Sequence, residues 1–300
     1  DRQRMLECLD IIVHGQLLDL ERFGPANEGG NISALASDSE LDDYTFRVAG
    51  CVGVFWTKMS LAHLMELSPE DEELFMERGI RFGKALQMIN ILRDIPEDLR
   101  FGRCYIPEDM LEQHGLQPKD LLDDSNLVTF RPLYDAYLDL TNEHLEAATA
   151  YIQMIPETQF RLKASCMLPV LVGQRTVTLL RTGNILNSEE RIKVTRDEMK
   201  TYARKLLRAL LIPERTDSST PAAKASSRTV WLTLPIDKLS ICFATDLMPA
   251  SCDPNNSSPV SPRSSIALMN LSGLNRDGLA VSKPLFFSVV LIHSLPRAPL

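Results

Sequence analysis

What most constrains this chain is one stretch bounded by a helix start and a helix breaker. Ser68-Pro69-Glu70-Asp71 sets a capping serine before a proline and acids in the first turn, the pattern that begins a helix. The next breaker is Pro96, which cannot donate a hydrogen bond to the carbonyl of Leu92, so the helix kinks or ends there. A helix of roughly 25 residues is about 38 Å long. Its stripe of Leu86, Ile89 and Leu92 needs other helices to cover it.

Such helices are present on both sides. Apolar periodicity marks residues 1–20, with Met5, Leu6, Leu9, Ile12 and Val13 on one face. Residues 21–39 are rich in Gly, Asn and Ser and read as a loop, and a long helix follows over about 39–67. Beyond Pro96, a basic loop over 99–105 leads to a short helix that opens at Pro107 and stops near Gly115. Further helices are predicted over 118–123, 127–154, 157–181 and 195–211, the last with a Thr195/Glu198 capping box. No sustained period-2 alternation occurs before residue 215, so the fold class is all-α.

After Pro213 the composition changes. Residues 216–300 contain no glutamate, many serines and prolines, and seven basic against five acidic residues, so they carry +2 in a chain whose net charge is −8. Such a segment buries too little apolar surface to offset its ordering entropy. The expected organisation is a helical domain over 1–215 and a disordered tail over 216–300, in which residues 286–295 could lie on a membrane surface. The acidic balance, with a pI near 5.3, argues against a nucleic-acid partner. Six cysteines without CxxC pairing, and no apolar run long enough to span a bilayer, lead to the expectation of a cytoplasmic location. The five histidines show no ligand spacing and are expected to be ordinary surface or core residues.

Where the long helix meets Pro96, the residue types become chemical. Gln87, Asn90, Asp94 and Asp98 follow the i, i+3, i+4 rhythm of one helical face. Two carboxylates one turn apart repel unless a cation lies between them, and Mg²⁺ takes one or two carboxylates together with phosphate oxygens. Arg93, Arg100 and Arg103 would suit the phosphate half of such a site. The same spacing also fits a solvated helix end with mixed charges. A second constellation is Tyr44-Thr45-Phe46-Arg47-Val48-Ala49-Gly50-Cys51-Val52-Gly53, whose two glycines each cost about 1 kcal/mol in a helix relative to alanine. Close approach of another helix or of a ligand chain would explain them, and Tyr44 could equally be a core tyrosine.

Taken together and in this order, YTFRVAGCVG and QMINILRDIPEDLRFGRCYIP resemble the squalene/phytoene synthase family of head-to-head prenyl transferases. The resemblance covers residues 1–212. It implies the all-α isoprenoid synthase fold, a helical bundle around a central cavity for two prenyl diphosphates. It implies that Asp94 and Asp98 bind Mg²⁺, that Gln87, Asn90, Arg93 and Arg103 contact diphosphate, and that Tyr44 is catalytic, near the reacting carbons and the departing diphosphate. Coupling of two farnesyl diphosphates would pass through presqualene diphosphate, with NADPH required if the product is squalene; phytoene and dehydrosqualene are the alternatives. Val52-Gly53-Val54-Phe55-Trp56 is similar to the bacterial squalene branch.

The family's first aspartate-rich motif has no counterpart upstream of Tyr44, since Asp38-Ser39-Glu40-Leu41-Asp42-Asp43 lies too close to it. The expectation is therefore a fold incomplete at its N-terminus, with little turnover from this chain alone. A monomer is expected, with peripheral membrane association for product release. A non-catalytic helical lipid-binding or assembly protein is the rival reading. Such a protein need not keep Asp94, Asp98, Tyr44 and Arg103.

Overall fold

A computed structural model describes residues 1–24, 31–189 and 191–211, without the side chains of 207 and 209–211. All of them belong to one unit of the chain, Asp1–Cys242. The expected boundary at 215/216, the tail and its apolar segment lie outside the described residues.

The helix that begins at Ser68 is α4, Pro69–Arg93, and the Ser68 hydroxyl accepts the Asp71 N–H at 3.2 Å. Pro96 ends it rather than bending it. Asp94 leaves the helix at φ −104° and ψ 15°, and a short helix, α5, Ile95–Arg100, restarts with Pro96 in its first turn. The two are joined through Asp94, whose carbonyl accepts the Asp98 N–H at 2.9 Å.

α4 is the axis of the bundle. Phe75, Ala85, Met88, Ile89, Ile91 and Leu92 are buried along it. It packs against α3 (Cys51–His63), α7 (Leu127–Met154) and α8 (Phe160–Thr182). Phe75 stacks on Tyr151 of α7 with centroids 3.9 Å apart, and Tyr134 donates to the Leu92 carbonyl at 3.0 Å. α9, Arg196–Leu211, closes the described part by laying Tyr202, Ala203 and Leu206 on α8.

The helix expected over 39–67 is three pieces: α2 (Asp38–Thr45), a π-helical turn (Phe46–Gly50) and α3. Here the glycines have their explanation. A Cβ on Gly53 would lie 1.9 Å from the Gly79 carbonyl oxygen, and one on Gly83 would lie 2.2 Å from the Ala49 oxygen. Backbone meets backbone between α3 and α4, so helix packing accounts for Gly53 without a ligand chain.

Two features are not apparent from the sequence pattern. α1, Arg2–Phe23, buries Cys8, Gly15 and Asp19, while Met5, Leu6, Leu9 and Val13 of its apolar face are exposed. Periodicity identifies an apolar face, not the face that neighbours cover. The basic loop over 99–105 is also more ordered than expected. After α5, Gly102 turns at φ 77°, and β2, Arg103–Cys104, pairs in parallel with β1, Ser33–Ala34. A two-residue ladder is too short to leave an alternating pattern in the sequence, yet it fixes where Arg103 sits.

Candidate active site

The break between α4 and α5 lies beside two clusters, each of which pairs arginine with aspartate. The first lies on the last turns of α4. Asn90 donates to Gln87 at 3.4 Å and accepts from Arg93 at 3.1 Å. Arg93 grips Asp94 with one fork, Nε to Oδ1 at 2.9 Å and Nη2 to Oδ2 at 2.8 Å. Gln87 and Asp94 are only 8% and 4% exposed, and neighbouring side chains bond to both. Bonding to Asp94 raises the Arg93 pKa further, so its charge is permanent.

A second arginine reaches the same carboxylate from far along the chain. Arg191 donates Nη2 to Asp94 Oδ1 at 2.7 Å and lies 3.4 Å from Glu97. Sequence reasoning missed it, because Arg191 stands in a polar loop with no motif around it. Arg93, Asp94, Glu97, Arg100, Asn187 and Arg191 line an open pocket.

The second cluster surrounds Arg103, which is 4% exposed. Its Nη1 donates to Asp19 Oδ2 at 2.8 Å, and the Tyr105 hydroxyl donates to Asp19 Oδ1 at 2.9 Å. The Tyr105 ring stacks on Tyr44 at 4.7 Å, and Phe23 meets its edge at 5.2 Å. Asp19 and Tyr105 were also missed. Burial raises the pKa of Asp19 against the pull of Arg103, and burial followed by the Asp19 charge raises that of Tyr44, so its phenol is neutral. Arg103 Nε and Nη2 are buried with no hydrogen-bond partner among the described residues. These two groups form one fork of the guanidinium, the edge that matches two oxygens of a carboxylate or phosphate.

Asp98 lies between the clusters. It is half-buried, lines a small gap with Ile91, Arg103 and Tyr105, and its charge acts on both Arg93 and Tyr44. No group of three or more His, Cys, Asp or Glu side chains converges among the described residues. Asp94 and Asp98 thus make no closed cage for a bare ion. Their hard oxygens suit Mg²⁺ that arrives with phosphate oxygens of its own. The acidic run before Tyr44 is structural: Asp38 accepts from Tyr137 at 2.6 Å, Asp42 pairs with Lys84 at 2.5 Å, and Asp43 with Arg47 at 2.7 Å.

This mainly helical body, with carboxylates, arginines and a tyrosine pair gathered beside one helix break, has the isoprenoid synthase fold. The likeness to a solved structure of ligand-bound TcSQS shows that fold, with a TM-score of 0.50 and 19% identity over 56% of this chain and 48% of the other. The squalene/phytoene synthase family model matches residues 1–198, and the chain belongs to that family of head-to-head prenyl diphosphate-condensing enzymes. It is 32% identical over 152 residues to a 15-cis-phytoene synthase of Synechocystis sp., covering 48% of this chain and 41% of the relative. To phytoene synthase 3, chloroplastic, of Zea mays it is 28% identical over 224 residues, 71% of this chain and 50% of the relative. It spans from 15% to 50% of the length of such curated relatives. No helix among the described residues is long and apolar enough to cross a membrane.

Proposed function

We propose that this chain carries part of the machinery that joins two geranylgeranyl diphosphates head to head to give phytoene. The observation that carries the reading is Arg103: a buried guanidinium with one uncommitted fork, beside Asp98 and the Tyr44–Tyr105 stack. A buried cation with open donors suits an oxyanion. Diphosphate leaves carbon only when its charge is neutralised, which bound Mg²⁺ held by Asp94 and Asp98 would supply. Arg103 would hold the oxygens of the departing group. Arg93 and Arg191, already on Asp94, stand where a second phosphate would meet them, with Gln87 and Asn90 fixing the Arg93 side chain. The neutral Tyr44 would donate to the leaving oxygen and turn its ring to the allylic cation.

The relatives named as phytoene synthases support the C40 product, for which loss of a proton quenches the final cation and no reductant is needed. Squalene from farnesyl diphosphate with NADPH is the second reading, favoured by the likeness of Val52–Trp56 to the squalene branch. Gly53 in that stretch is accounted for by packing on Gly79, which weakens it. A monomer that touches a membrane only to release its hydrocarbon completes the proposal.

The test incubates the complete gene product with radiolabelled geranylgeranyl or farnesyl diphosphate and Mg²⁺, with and without NADPH. A C40 hydrocarbon made without NADPH is expected. A C30 product that needs NADPH would move the reading to squalene, and binding of a prenyl ligand without any product would favour the lipid-binding rival.

A further inference from the structure

We propose that Asp19 is a positioning residue of the diphosphate site, acting through Arg103 and Tyr105; this rests on reading Arg103 as a diphosphate ligand. Asp19 comes from α1, 84 residues before Arg103, and is 2% exposed. Placing both members of an ion pair in the interior costs desolvation, and apolar side chains of similar volume would often serve stability as well. The geometry gives this pair another use. The guanidinium is planar and rigid, so holding Nη1 on Asp19 Oδ2 at 2.8 Å fixes the direction of the opposite fork, Nε and Nη2. That is the fork without a partner.

The other carboxylate oxygen does a second job. Asp19 Oδ1 accepts the Tyr105 hydroxyl at 2.9 Å, and the Tyr105 ring lies against Tyr44 at 4.7 Å and 25°. One carboxylate thereby sets the aim of a cation and the plane of an aromatic ring, and Arg103 and Tyr105 both line the gap that Asp98 lines. Its charge also offsets that of Arg103, so the interior is balanced before an anion enters. With Asp19 neutralised, Arg103 loses the anchor that aims its fork.

The experiment is calorimetric titration of the full chain with pyrophosphate and Mg²⁺, for wild type, Asp19→Asn, Asp19→Glu, Arg103→Gln and Asp19→Asn/Arg103→Gln, each checked by circular dichroism. Asp19→Asn and Arg103→Gln are each expected to weaken binding by about tenfold, and the double variant no more than Arg103→Gln alone, since coupled residues are not additive. Asp19→Glu, which restores the carboxylate, is expected to recover part of the loss. Should Asp19→Asn not fold, Tyr105→Phe takes its place, with a loss of about threefold expected that vanishes in the Arg103→Gln background. Losses that multiply, unchanged binding in Asp19→Asn, or a glutamate variant no better than asparagine would overturn the assignment. If wild type binds no pyrophosphate, the diphosphate reading itself falls, and this one with it.

Discussion

Two aspartate–arginine pairs stand on either side of the α4–α5 break, and they differ in almost every respect. Arg93 and Asp94 are neighbours in sequence, and their pair opens to solvent through Arg93 and the half-exposed Arg191. Asp19 and Arg103 come from distant elements and are sealed, with side chains 2% and 5% exposed. In the first pair both oxygens of the aspartate are taken by guanidinium groups; in the second, one fork of the arginine has no partner. On the proposed function the first would exchange: an incoming cation would take Asp94, and the released arginines would meet the anion that comes with it. The second is built to stay. A fixed cation and an exchangeable carboxylate are the two halves that the proposed metal–diphosphate site would need.

The comparison can be broken in order of effect. Asp19→Ala leaves Arg103 charged and alone in the interior and should cost about 3–5 kcal/mol of stability, read as a lower urea midpoint. Asp94→Asn or Asp98→Asn should lower Mg²⁺-dependent turnover of the complete gene product by about 100-fold or more, with little change in melting temperature. Similar destabilisation by Asp19→Ala and Asp94→Asn would erase the distinction between a sealed and an exchangeable pair.

A pH titration tests the frame apart from both clusters. His144 of α7 accepts from Arg81 of α4 at 3.2 Å, and burial, then Arg81 and Lys84, push its pKa down to about 4. Between pH 4 and the ordinary value of 6.5 the unfolded chain holds a proton that the folded chain does not. Stability from this site is complete above pH 6.5 and is lost as the pH falls towards 4. His144→Gln should flatten that acid limb of the stability profile; an unchanged slope would contradict the assignment. The smallest effect is expected of Arg191→Ala, below about 1 kcal/mol because that side chain is half in water, although binding of pyrophosphate should still weaken.

The parts of this structure that were legible in the sequence are those written locally. Ser68, Pro69 and Pro96 set both ends of α4, and the periodicity over 127–154 matches α7. The Gln87–Asp94 stripe was visible because its members share a helical face. Asp19, Tyr105 and Arg191 were not, because their partners lie 84, 86 and 97 residues away; Asp19 and Arg191 stand outside either quoted stretch, and Tyr105, although inside one, shows nothing there of its distant partner. α1 shows the same limit from the other side. Its apolar face was plain to see, but its buried face is the one carrying Cys8, Gly15 and Asp19, and the sequence of one helix does not say which side its neighbours will cover. The π-helical turn at Phe46–Gly50 left no local mark either.

The most direct measurement of the central claim is the metal dependence of pyrophosphate binding. Titrated by calorimetry, wild type should bind pyrophosphate tightly with Mg²⁺ and at least about tenfold more weakly without it, a difference of about 1.4 kcal/mol. In Asp94→Asn/Asp98→Asn the advantage given by Mg²⁺ should disappear. Binding of equal strength with and without the metal in wild type, or a Mg²⁺ effect that survives in the double variant, would contradict the account of Asp94 and Asp98 as the cation half of a diphosphate site.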